Sequence, residues 1–123
     1  MDYEDFVKTT DVSNHDIQFY LDGMNEENGE INGIFKRIRR GDYGNDIRSL
    51  IESGERLSYV ITLDDEIMND LLKEIGDRHW YTTRLLQQLH VTWGDIEKIN
   101  MEKLKKRKET NTILGSGDKR EMS

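Results

Sequence analysis

The sequence predicts an all-α fold, a helical bundle with two long helices, and three features carry that expectation. Two extended stretches place apolar residues at three- and four-residue steps, the period of one helix face. Proline is absent from all 123 residues, so no helix interior is broken by a missing backbone donor. Charged residues (35%) match hydrophobic ones (34%), which suits surface-rich helices and leaves little material for a sandwich or barrel. The length allows one core without covalent staples. The expected organisation is a single domain over residues 1–108 and a flexible polar tail over 109–123.

Residues 3–9 form a short first helix anchored by Phe6 and Val7. The first long helix spans residues 15–40, where Ile17, Tyr20, Leu21, Met24, Ile31, Ile34, Phe35 and Ile38 keep the helical period. Asn14 is its expected N-cap. Arg37, Arg39 and Arg40 suit its negative end, and Gly41 stops it. Tyr43 to Ser53 carries Ile47, Leu50 and Ile51, enough for a short helix ended by Gly54. Leu57 to Leu63 (LSYVITL) is β-prone, but a lone strand has nothing to pair with. An extended connection is expected there, with a short hairpin as the alternative.

Asp64 or Asp65 caps the second long helix, which runs to about Leu89 with Ile67, Leu71, Ile75, Leu85 and Leu89 on its apolar stripe. His90-Val91 makes a turn. Thr92-x-x-Asp95 resembles a capping box and opens a third helix reaching about Lys108, with Ile96, Ile99 and Leu104 facing inward.

Composition narrows the function. There is no cysteine, which excludes disulfides, thiolate metal sites and cysteine catalysis. The acidic start Met1-Asp2-Tyr3-Glu4-Asp5 has no apolar core of a signal peptide, and no run approaches a membrane span. A soluble, cytoplasmic protein with no membrane partner is expected. The formal charge of −7 argues against a nucleic-acid polymer as partner. It leaves a nucleotide open, because phosphates can be met by a metal ion and a few cations.

The chemistry centres on two acid pairs, Glu27-Asn28-Gly29-Glu30 and Glu74-Ile75-Gly76-Asp77, each within a long helix. Residues three apart share a helix face, so each pair presents two carboxylates side by side. At about 100° per residue, Glu27 falls at the edge of its apolar stripe and Glu30 farther out. Glu74, Asp77, Tyr81, Arg84 and Gln88 share one flank of the second long helix. If the two helices pack, four carboxylates converge, and like charges at close range cannot all stay ionised without a multivalent cation. The alternative is a solvated face, since 25 of 123 residues are acidic and such pairs arise by chance. Asn100, Lys103 and Arg107 share a face of the third helix with Ile96, the polar-cationic stripe a triphosphate would require. Lys105, Lys106 and Lys108 read instead as a solvated helix end favoured by the macrodipole.

Over about 85 residues these motifs resemble the MazG-like nucleoside triphosphate pyrophosphohydrolases, an all-α group related to the dimeric dUTPases. LLKEIGDRHWY is similar to that family's E-L-G-D-hydrophobic-hydrophobic-W-Y segment, INMEKLKKR to its N-x-x-K-L-x-x-R element, and DGMNEENGEINGIFKRI to its glycine-rich first acid pair. MDYEDFVKTT looks like its short first helix. The resemblance implies that Glu27, Glu30, Glu74 and Asp77 ligate Mg²⁺, with Mn²⁺ as a substitute, and form the catalytic set. It implies that Tyr81 lines the nucleotide pocket and that Asn100, Lys103 and Arg107 contact phosphates or the metal shell. Cleavage between the α- and β-phosphates would release a monophosphate and pyrophosphate, with Glu27 or Glu30 as the foremost general base. A homodimer or dimer of dimers is implied, with sites completed across subunits. Arg78 and His79 depart from the pattern, which has apolar residues there. They would face a partner subunit, an extra phosphate or solvent.

Other chemistries fail on spacing. A di-iron bundle needs Glu-x-x-His, whereas Glu74 is followed three residues on by Asp77, and His79 lies on another face. His15 and His90 have no partners at ligand spacing. Gly41-x-x-Gly44 lacks the Gly-Lys-Ser/Thr of a P-loop. The competing reading is a non-catalytic helical interaction protein that retains the fold, with Arg78, His79 and the tail marking its partner surface.

Overall fold

The computed structural model describes residues 1–13 and 15–110. Among these residues the protein is all-α, as expected, with six helices and no strand: α1 (Tyr3–Thr10), α2 (Ile17–Arg40), α3 (Asn45–Glu52), α4 (Leu57–Thr62), α5 (Asp65–Gln88) and α6 (Trp93–Glu109). The described residues form two compact units, divided between Leu85 and Leu86.

In the first unit, Asp2 caps α1 by accepting from the Asp5 amide. Val7 is fully buried, but Phe6 is 54% exposed, so α1 is anchored by one apolar side chain rather than two. Adjacent helical residues point about 100° apart, and one buried stripe cannot hold both. Asp16 caps α2 through the Ile17 amide at 2.7 Å; the expected cap, Asn14, lies outside the described residues, as does the expected tail from residue 111. Gly41 ends α2 in the left-handed region (φ 84°), its N–H reaching the Arg37 and Ile38 carbonyls. That conformation is nearly free for glycine alone.

The segment expected to be extended is instead α4. Leu57, Val60 and Ile61 stand at i, i+3 and i+4, on one helix face, whereas a strand would send neighbours Val60 and Ile61 to opposite sides. Both are buried. The helix-propensity loss of β-branched residues is only about 0.5 kcal/mol each, less than full burial of either side chain returns. Ile61 joins Ile34 and Ile38 of α2 and Ile67 of α5 in the core, with Phe35, Tyr43, Ile47, Ile51, Leu57, Met68 and Leu71 packed around it.

Asp64 caps α5 by accepting from the Ile67 amide at 3.0 Å. The apolar stripe of α5 is shorter than expected, because Ile75 is 44% exposed. α2 and α5 run antiparallel, and their partners fall in step. Ile38 shares the core with Ile67, Asn28 is bonded to Arg78, Gly23 abuts Tyr81, and Tyr20 meets Arg84.

In the second unit, His90 takes a left-handed turn conformation (φ 58°). Thr92 and Asp95 close the expected capping box at the start of α6, each side chain accepting from the other's backbone N–H at 3.0–3.1 Å. The inward face expected for α6 is only partly realised: Ile96 is half-buried, while Ile99 and Leu104 are exposed. Leu89, expected on the α5 stripe, is exposed beyond that helix's end. No helix among the described residues is long and apolar enough to cross a membrane.

Candidate metal centre

The antiparallel register sets residue 27 of α2 opposite the 74–77 turn of α5. One carboxylate oxygen each from Glu27, Glu74 and Asp77 lies within 4.8 Å of the other two. Glu27 and Glu74 are half-buried and Asp77 is exposed, so the cluster sits where the helix interface meets solvent. Glu30 is exposed and is not one of the three converging acids, although its charge acts on Glu27.

Glu27 is the strained member. Its Oε2 is buried without a hydrogen-bond partner. Burial foremost, then its hydrogen bond with Glu74 and the charges of Asp77, Glu74 and Glu30, push its carboxyl from 4.5 to about 7. Two carboxylates meet in this way only by sharing a proton or a cation. The donor set is three oxygen acids with no sulfur or imidazole, the chemistry of Mg²⁺, Mn²⁺ or Ca²⁺ rather than of zinc or copper. The residues present fit a hard divalent ion, and a buried carboxylate oxygen without a partner is costly unless something meets it.

Aromatic side chains wall the acids. Glu27, Asp77, Trp80 and Tyr81 line a small cavity of about 190 Å³. The Tyr81 ring packs against α2 where residue 23 is glycine; a Cβ there would collide with one edge of the ring. Trp80 meets Tyr81 edge-on with centroids 5.1 Å apart and donates its indole N–H to Thr10 Oγ1 at 2.7 Å, tying α5 to α1. Burial, followed by the charges of Glu27, Glu26 and Asp77, raises the Tyr81 hydroxyl, which keeps it a proton donor at neutral pH.

A charged network, not anticipated from sequence, holds the far side. Arg84 Nε donates to Asp11 Oδ2 at 2.9 Å, and the Tyr20 hydroxyl donates to the same oxygen at 2.5 Å. Both charged side chains are largely buried, 11% and 6% exposed. Burial alone would raise the Asp11 carboxyl, but the Tyr20 and Arg84 hydrogen bonds outweigh it and hold it below its usual value. Asp11 and Arg84 stand 73 positions apart, and only the 20–84 register of the two long helices, extended to the loop before α2, signals their meeting.

The other expected site residues belong to the second unit. Asn100, Lys103 and Arg107 are on α6 in the second unit, exposed, half-buried and buried in turn. His15 stacks on Phe19 with centroids 3.7 Å apart. Arg78 hydrogen-bonds to Asn28 at 2.8 Å and the His79 ring tilts against Tyr3 at 5.1 Å.

Among known proteins, the Gene 37 protein of Mycobacterium phage L5 is 35% identical over 98 residues, which span 80% of this chain and 71% of that protein. No family model and no solved structure matches.

Proposed function

The chain belongs to the same family as the Gene 37 protein of Mycobacterium phage L5, and from its carboxylate centre we propose a magnesium-dependent nucleoside triphosphate pyrophosphohydrolase of the MazG-like kind. The observation that supports this reading most is the convergence of one carboxylate oxygen each from Glu27, Glu74 and Asp77 within 4.8 Å, at a Glu27 side chain that keeps one oxygen buried and without a hydrogen-bond partner. A solvated acidic face has no reason to leave a carboxylate desolvated and its proton affinity raised.

Glu27, Glu74 and Asp77 would hold the ion, with Glu30 at its outer edge. Bound Mg²⁺ would supply charge neutralisation at the phosphates and an acidified water. The chain's own groups do the rest. Tyr81 offers a protonated hydroxyl beside the acids. Tyr81 and Trp80 line the cavity beside the acids. Of the two acids placed to take a proton from that water, Glu27 and Glu30, Glu30 stands outside the three-acid cluster and is free of the ligand role. The products would be a nucleoside monophosphate and pyrophosphate, formed in the cytoplasm to clear or adjust a nucleotide pool. A homodimer or dimer of dimers accompanies this reading.

The test is a panel of nucleoside triphosphates with Mg²⁺, scoring pyrophosphate against orthophosphate. Pyrophosphate release by the wild type is expected, with a loss of at least a hundredfold in Glu74→Gln and Asp77→Asn at unchanged helical content. Wild-type turnover in either variant, or orthophosphate as the product, would discard the proposal.

A further inference from the structure

The carboxylate centre poses a mechanical problem, because three acids within 4.8 Å push their helices apart. The apolar core that joins α2 to α5 lies at Ile34, Ile38 and Ile67, toward the end of α2 and the start of α5. The Asp11–Tyr20–Arg84 network lies at the opposite ends of the same helices. Beside the acids, the exposed Gly29 and Gly76 contribute no contact: a Cβ on either would meet nothing within 4 Å.

Beside the acids the two helices are joined by a polar bond. Arg78 Nε donates to Asn28 Oδ1 at 2.8 Å, across 50 positions of sequence. Its placement matters: Asn28 directly follows Glu27, and Arg78 directly follows Asp77. The bond therefore joins the two backbone positions adjacent to opposing acids. Fixing that pair of positions fixes the distance across which Glu27 must face Glu74 and Asp77.

We propose that Arg78 is a positioning residue of the metal centre, acting through its hydrogen bond to Asn28 to hold Glu27 in reach of Glu74 and Asp77. The inference rests on reading the three acids as a divalent-cation site. Its substance is geometric: the arginine sets the spacing of the ligands, and it contributes the donor rather than the charge. Arg78→Gln separates those roles, because the glutamine amide nitrogen falls where Nε stands while the positive charge is gone. Arg78→Met keeps the stem and removes the donor.

Mn²⁺ affinity, measured by calorimetry on the metal-free protein, tests this without recourse to turnover. Arg78→Met and Asn28→Ala are each expected to weaken Mn²⁺ binding about tenfold, the low end for residues that orient metal ligands. The double variant should bind no more weakly than either single one, since both remove the same bond. Arg78→Gln should stay within about twofold of wild type. Melting temperatures measured alongside separate this from a merely structural bond, which would lower stability and leave affinity untouched. Wild-type affinity in Arg78→Met, losses that multiply in the double variant, or equal losses in Arg78→Gln and Arg78→Met would each overturn the inference. Asn28→Ala, at an exposed position, reads the same bond should Arg78→Met fail to fold. A wild type that binds no Mn²⁺ would fell the metal reading itself, and the inference with it, an outcome distinct from tight binding that Arg78 does not influence.

Discussion

Glu27 joins stability to function in a single side chain. In the unfolded chain its carboxyl titrates near 4.5, and in the folded metal-free protein near 7, with burial the largest cause. Below pH 4.5 the group is protonated in both states. Between these values only the folded state keeps the proton, so the stability linked to Glu27 is present at low pH and lost as pH rises through about 7. The expected result is a wild-type melting temperature that falls over this window relative to Glu27→Gln, which has no such proton to lose. Parallel melting curves from pH 4 to 8 for the two proteins would contradict the assignment. The three converging acids were legible from i, i+3 spacing and the helical period, because that arithmetic fixes which side chains share a face. The exclusion of Glu30 and the pairing of Arg78 with Asn28 were not legible, because both depend on how two helices are rotated against each other.

At the level of helices, glycines sort by what stands opposite them. Gly23 is buried and supports the Tyr81 ring, so a methyl group there overlaps the aromatic wall of the centre. Gly29, on the same helix and two residues past Glu27, faces open space. Alanine should therefore act with opposite sign. Gly29→Ala is expected to stabilise by roughly 0.5–1 kcal/mol through helix propensity alone. Gly23→Ala is expected to destabilise by about 1–2 kcal/mol net, because overpacking outweighs the same propensity gain. Chemical denaturation of the two variants measures both, and equal effects would mean that Tyr81 does not rest on α2. The long helices and most of their ends were legible because periodicity and capping residues act locally: Gly41, the Thr92–Asp95 box and the ends of α5 follow from the sequence, whereas α2 is capped by Asp16 and not by the expected Asn14. α4 was misjudged because β-branched composition outweighed the Leu57, Val60, Ile61 spacing, which is helical and buries one face. The outward turn of Ile75, Ile99 and Leu104 was hidden for another reason. Periodicity marks an apolar side chain as belonging to a face without saying that the face is covered.

Over the whole molecule, an excess of acid sets the balance between holding a fold and holding an ion. The chain carries a net charge of −7, and close ion pairs among the described residues include Arg40–Asp42, Arg48–Glu52 and Arg84–Asp11. The carboxylate centre concentrates that repulsion between α2 and α5, where the metal-free protein has only a proton on Glu27 to relieve it. A site arranged for function in this way lowers stability in the empty state. Two consequences of opposite sign follow for the same variant. Without divalent metal, Glu74→Gln should melt above wild type, because one of three mutually repelling charges is gone. With Mg²⁺ at a hundred times its dissociation constant, wild type should gain about 2.7 kcal/mol, several degrees in melting temperature, and Glu74→Gln should gain almost nothing. The order of the two melting curves would then reverse. Sodium chloride serves as the control, since screening of a diffuse charge stabilises both proteins alike at ionic strengths where the Debye length falls below about 10 Å. Calorimetric scans of both proteins, with and without Mg²⁺ at fixed ionic strength, decide the matter. A reversal places the ion at Glu27, Glu74 and Asp77. Equal shifts in the two proteins would instead assign the metal effect to the acidic surface as a whole.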